Sequence, residues 1–237
     1  MKKILLIIAV SFACTMMANA QKSTALDKKV RFGFKIDAGS SWLGPKEGYV
    51  TGGSKFYFGY GFISDFTLTD NYIISTGLNI INAGGKLTMQ NGAGYGGNYN
   101  GVPRATPNTY SVSLQYVEIP FALKLKTDAM NGLRYWGQFG TYLGINIGSR
   151  LSGTVLSNES GVEASKTYDK EQITSATVPV NMGLDLGVGV EYPFNSKSYG
   201  SFGLGYHNGF IDITKQGAWS DGKVNLNGFF LRTAFFF

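Results

Sequence analysis

The chain has 237 residues, 15% of them charged, with 21 basic side chains against 15 acidic ones and a formal charge of +6. A single cysteine, Cys14, and a single histidine, His207, exclude a disulfide framework and leave only carboxylates for a metal, so no cofactor or metal is expected. No stretch reaches the ~18 consecutive apolar residues of a membrane-spanning helix, and no basic stripe interleaved with aromatics offers a nucleic-acid surface.

The N-terminus reads as a secretory signal peptide over residues 1–20. Lys2 and Lys3 precede an apolar run from Ile4 to Ala13, and Ala18-Asn19-Ala20 forms a small-x-small cleavage site before Gln21. A lipoprotein signal around Cys14 is the weaker reading, because Ser11 stands where a lipobox wants Leu. Residues 21–29 form a polar lead-in, and 30–237 form one domain without linker or duplication.

From Val30 onward, eight segments alternate apolar and polar residues, the period of a strand with two unlike faces. The first sets Val30, Phe32, Phe34, Ile36 and Ala38 against Arg31, Gly33, Lys35, Asp37 and Gly39. The second sets Phe56, Phe58, Tyr60, Phe62 and Phe66 against Tyr57, Gly59, Gly61 and Asp65. The third sets Tyr72, Ile74, Thr76, Leu78 and Ile80 against Ser75, Gly77 and Asn79, with Ile73 and Ile81 off pattern. In the fourth, Val117, Ile119, Phe121, Leu123 and Leu125 oppose Glu118, Pro120, Ala122, Lys124 and Lys126.

The fifth sets Leu133, Tyr135, Phe139, Leu143, Ile145 and Ile147 against Arg134, Gln138, Gly140 and Asn146. Trp136, like Trp42 and Trp219, fits an aromatic girdle or loop base, with an inward position, in phase with Arg134, as the alternative. The sixth is the clearest. Val178, Val180, Met182, Leu184, Leu186, Val188, Val190 and Tyr192 alternate with Pro179, Asn181, Gly183, Asp185, Gly187, Gly189 and Glu191. Soluble strands average about 5–6 residues, whereas a tilted strand crossing a bilayer needs about 9–11. The seventh sets Phe202, Leu204, Tyr206 and Phe210 against Gly203, Gly205, His207 and Gly209. The eighth sets Phe229, Leu231, Phe235 and Phe237 against Gly228, Arg232 and Ala234, with Phe230 and Phe236 off pattern.

Connections alternate in length. Those around Thr69–Asn71, Thr127–Gly132 and Pro193–Ser198 are short, while Gly84–Asn108 and Arg150–Thr177 are long. All long loops therefore lie at one end, as in outer-membrane barrels. The reading is all-β: an eight-stranded antiparallel up-and-down transmembrane β-barrel, integral to a bacterial outer membrane, with outer-membrane lipid against its apolar face. Its lumen is expected to hold a structural charge network of Arg31, Lys35, Asp37, Asp65, Glu118, Lys124, Arg134, Asp185, Glu191 and Arg232. Eight strands enclose an interior just wide enough for side chains, so these residues are read as packing and not as a pore.

The segment Tyr116-Val117-Glu118-Ile119-Pro120 resembles the Y-[LV]-E-[IV]-P strand of the PorT-like outer-membrane β-barrel proteins of the Bacteroidetes. That resemblance implies the same fold and location, and a link to secretion or the envelope. Physically, Pro120 lacks an N–H and predicts a bulge or bend. Glu118 is expected to meet Lys124, Arg134 or Arg232. The C-terminal strand, with Phe235 and Phe237 at alternate positions, resembles the insertion signal that outer-membrane barrels present to their assembly machinery.

Enzymatic readings are weak. Outer-membrane lipid hydrolases pair His with a Ser two residues away on the same face, but here Gly205 and Gly209 flank His207. The Gly94–Gly97 loop has no strand-to-helix context for phosphate; its Tyr95, Asn98 and Tyr99 suit surface contact instead. The expected role is non-enzymatic and accessory, with envelope or secretion proteins as partners. The alternatives are a lipid-modifying enzyme and a narrow channel or small-ligand barrel.

Overall fold

A computed structural model describes residues 30–46, 50–89, 95, 108–159, 162–195, 198–219 and 223–237. The expected signal peptide, the lead-in and most of the loop between residues 90 and 107 lie outside the described residues. Nine strands follow one another: β1 Val30–Pro45, β2 Val50–Thr67, β3 Tyr72–Met89, β4 Asn108–Lys126, β5 Arg134–Glu159, β6 Val162–Gln172, β7 Val180–Pro193, β8 Tyr199–Gly209 and β9 Val224–Phe236. A 3-10 turn at Thr174–Ala176 precedes β7.

Eight of these strands close a barrel. Neighbours pair antiparallel from β1 round to β5, then β5 with β7, β7 with β8, and β8 with β9. β1 pairs β9 from Gly33 opposite Phe236 to Pro45 opposite Val224, so no edge remains. The ninth strand, β6, pairs only with the upper part of β5. The stretch read as one long loop from Arg150 to Thr177 is therefore in large part a β5–β6 hairpin extending past the barrel.

Large apolar side chains cover the outside. Phe34, Phe121, Phe139, Val188 and Leu231 are each more than half exposed, a surface whose compatible solvent is hydrocarbon. Aromatic residues mark both borders of this band: Tyr72, Tyr135, Tyr192 and Phe194 at the end with short turns, and Trp42 beside Tyr206 at the other, rings 6.4 Å apart.

Above the second border, the faces exchange character. On β4, Val117, Ile119, Phe121, Leu123 and Leu125 face out and Glu118, Lys124 and Lys126 are buried inside. Nearer the long loops, the outward residues become Thr109, Ser111, Ser113 and Gln115, while Tyr110, Val112, Leu114 and Tyr116 are buried inside. β3 inverts at the same level, with Ile80 opposite Val117 and Asn82 opposite Gln115. On β3 and β4 the lower part is built for lipid outside and charge inside. The upper part is built for water outside and an apolar core inside.

That core sits in the upper lumen. Leu43, Leu87, Met89, Tyr110, Leu114 and Leu151 from the strands pack with Ile173, Ala176, Ile213 and Trp219 from the connecting segments. Trp219 Nε1 donates to the Ala176 carbonyl at 3.1 Å, tying two connections together over the barrel mouth. The charged layers thus carry an apolar lid, which the alternation of the segments did not indicate.

Pro120 does not shift the register. The β3–β4 ladder resumes with the same offset on either side, although Gly77 and Leu78, facing Pro120 and Ile119, form no ladder pairs with β4. The bulge lies instead on β5, where Gln115 and Tyr116 face Gly148 and Asn146 and leave Ile147 extra. It returns Ser149 and Leu151 to the interior, phasing the upper part of β5 with the apolar core.

Candidate functional site

The charged interior is arranged in two layers. The lower one, near the short turns, centres on Glu191 of β7. Its Oε1 accepts from Lys124 Nζ at 2.7 Å and its Oε2 from Lys126 Nζ at 2.5 Å. Lys124 also lies 3.4 Å from Asp65, and Arg31 Nη2 lies 3.9 Å from that same carboxylate. Aromatic faces fill the rest. Lys124 stands 5.0 Å from the Trp136 ring centroid, Arg31 stands 4.7 Å from that of Tyr199, and Tyr199 stacks on Phe236 at 4.6 Å.

The upper layer centres on Asp185 and Arg232. Arg232 Nη2 donates to Asp185 Oδ1 at 3.3 Å, and Arg232 Nε donates to Asp37 Oδ1 at 3.3 Å. Lys35 donates to Asp37 at 3.0 Å, and Gln138 donates to Asp185 at 2.6 Å. His207 completes the layer, its Nε2 3.0 Å from Asp185 Oδ1 and its Nδ1 4.0 Å from Glu118 Oε2. Tyr142 stacks on the imidazole at 4.6 Å and Phe230 meets it edge-on at 4.8 Å.

Nine of the ten expected lumen charges belong to these layers. Arg134 does not: it is exposed at the first position of β5, opposite Glu191 in the ladder, and among the described residues makes no ion pair. Glu118 meets neither Lys124 nor Arg232, the two partners with buried ammonium or guanidinium groups; its neighbour is His207. Lys126 and Gln138 share the phase of Lys124 and Arg134 and were readable as inward, but no spacing marked them as ligands of Glu191 and Asp185. Of the motif residues, Tyr116 is buried beneath the apolar lid, and Pro120 accepts at its carbonyl from Thr76 Oγ1 at 2.7 Å. Phe235 and Phe237 lie on the lipid-facing side, each nearly half exposed.

The off-pattern aromatics fill volume left by glycines. Phe230 lies opposite Gly205, where a Cβ would come 2.2 Å from Phe230 Cε2. Among the described residues no group of three or more His, Cys, Asp and Glu side chains is placed to hold a metal, and none of the helices there is long and apolar enough to cross a membrane.

A closed eight-stranded barrel with a lipid-facing exterior, charged lower lumen and long loops at one end defines an integral outer-membrane protein. The family model described as outer membrane protein beta-barrel domain matches residues 19–215, and the chain belongs to that family. Among solved structures, it is similar to Neisserial surface protein A (12% identity, covering 86% of this chain and 95% of that one, TM-score 0.41). It is also similar to Ail, the attachment invasion locus protein of Yersinia pestis (12%, 88% and 99%, 0.36), and to OprG from Pseudomonas aeruginosa (11%, 87% and 93%, 0.38). No curated protein matches by sequence.

Proposed function

We propose that this protein is a non-enzymatic accessory barrel of the outer membrane that presents its loop end to the exterior, within the PorT-like group of the Bacteroidetes. The observation that carries the reading is the blocked lumen, with two ion-paired layers beneath an apolar lid. A path for solutes would have to break buried pairs in both layers and displace Trp219 and Ile213 as well. Catalysis at His207 has no exposed surface to work on, because its ring is enclosed by Asp185, Tyr142 and Phe230. The Tyr116-Val117-Glu118-Ile119-Pro120 strand supports the PorT-like assignment, and with it a role beside secretion or envelope proteins.

Planar bilayers containing the refolded full chain test this reading. The expected record is a flat baseline under applied voltage, from protein whose gel mobility shifts on boiling. Steady unitary currents from the same preparation would overturn it in favour of a channel.

A further inference from the structure

Above the lipid border, the outward face of β2–β5 carries Lys55, Lys86 and Arg150 on three of four successive strands. Lys86 lies opposite Ser111 and Arg150 opposite Ser113 in the ladders that flank β4. Lys55 reaches across β3 and donates from Nζ to Ser113 Oγ. Gly84, which lies opposite Ser113 and carries no side chain, leaves that passage open. Lys55 thus contacts the Ser113 hydroxyl, while Lys86 and Arg150 stand beside Ser111 and Ser113 in register, with Thr109, Gln115 and Ser152 on the same outward face. Among the described residues no carboxylate lies within 4.0 Å of any of the three.

Three cations without a carboxylate partner among the described residues, on one rigid sheet, repel one another and concentrate an anion. Guanidinium and ammonium groups beside hydroxyls are donors suited to phosphate oxygens. The height of the patch selects among anions. Asn82 and Gln115 are the first polar outward residues above Ile80 and Val117, and the cations stand within one or two outward positions of them. This is where the headgroups of the outer leaflet meet the barrel.

We infer that Lys55, Lys86 and Arg150 form a binding site for the phosphorylated headgroup of an outer-leaflet glycolipid, with Ser111 and Ser113 as supporting donors. The acyl chains of such a lipid would lie below, along the apolar outward residues Val117, Ile119 and Ile145.

The test uses the full chain in detergent micelles doped with an acylated diglucosamine lipid bearing two phosphates, with bound lipid counted by native mass spectrometry. One lipid is expected to be retained, and K55Q/K86Q/R150Q is expected to weaken retention at least tenfold while preserving the boiling-dependent mobility shift. The single variant R150Q, expected to lose binding in part, serves if the triple variant folds poorly. K46Q/K223Q removes two exposed lysines near the β1–β9 seam and is expected to retain the lipid. Equal retention by the triple variant, or equal loss in K46Q/K223Q, overturns the site. Equal retention of a lipid lacking both phosphates overturns the chemistry. Displacement by millimolar inorganic phosphate, without lipid preference, overturns the lipid as the source.

Discussion

Lys124 of β4 and Glu191 of β7 meet at 2.7 Å although their strands do not pair, so the contact bridges the lumen over β5 and the Trp136 side chain beneath it. Lys126 shares the same carboxylate. The barrel wall is thereby braced from inside by groups that no backbone ladder connects.

Glu191→Gln leaves the buried Lys126 ammonium without its anion and Lys124 with Asp65 alone. A loss of roughly 3–5 kcal/mol is expected, the range for breaking a buried ion pair by removing one partner. Adding Lys126→Met, which leaves Lys124 paired with Asp65, should recover most of it, since removing both members of a buried pair is often neutral. Urea unfolding in lipid vesicles measures both, and a single variant as stable as the parent would refute the brace.

The inversion of faces on β4 gives opposite expectations for two outward positions. Phe121→Arg places a charge within the lipid band and should cost roughly 2–4 kcal/mol if near the midplane. Gln115→Arg lies above the border and should stay within about 0.5 kcal/mol, as ordinary surface changes do. Folded fractions from gel mobility in vesicles compare them; equal costs would mean that the border is misplaced.

Gly205→Ala would push its Cβ into the Phe230 ring, 2.2 Å from the nearest carbon. Overpacking of this kind costs about 1–3 kcal/mol. The pair Gly205→Ala/Phe230→Leu should be more stable than Gly205→Ala alone, by the same urea measurement.

Trp219→Ala removes the anchor of the apolar lid, which includes its hydrogen bond to Ala176. Local opening, not barrel unfolding, is the expected outcome. Protease added from the loop side should cleave the segment around residues 210–219 faster, while the mobility shift on boiling persists.

The lower half of the barrel was legible from sequence because each residue there has one task. In β7, every apolar side chain from Val180 to Tyr192 faces lipid and every intervening one faces the lumen. The off-pattern residues Ile73, Ile81, Phe230 and Phe236 looked like noise only while apolar was equated with outward. They are buried, three of them opposite glycines. The upper half was illegible for a related reason. Tyr110, Val112, Leu114 and Tyr116 keep the period of two but reverse its meaning, and nothing local announces where lipid gives way to water. Ion-pair partners depended on lumen geometry. Glu118 and Lys124 share a face yet stand about 20 Å apart along one extended strand, so the lysine turned to other strands and the carboxylate faced His207.

The eight residues of β4 from Asn108 to Gln115 rise roughly 18 Å beyond the hydrocarbon, at about 3.4 Å each and a tilt near 40°. The barrel therefore ends as a rigid turret and not flush with the bilayer. Whatever docks on its summit meets a surface held clear of the headgroups, at a fixed stand-off that neither lipid packing nor loop motion has to supply.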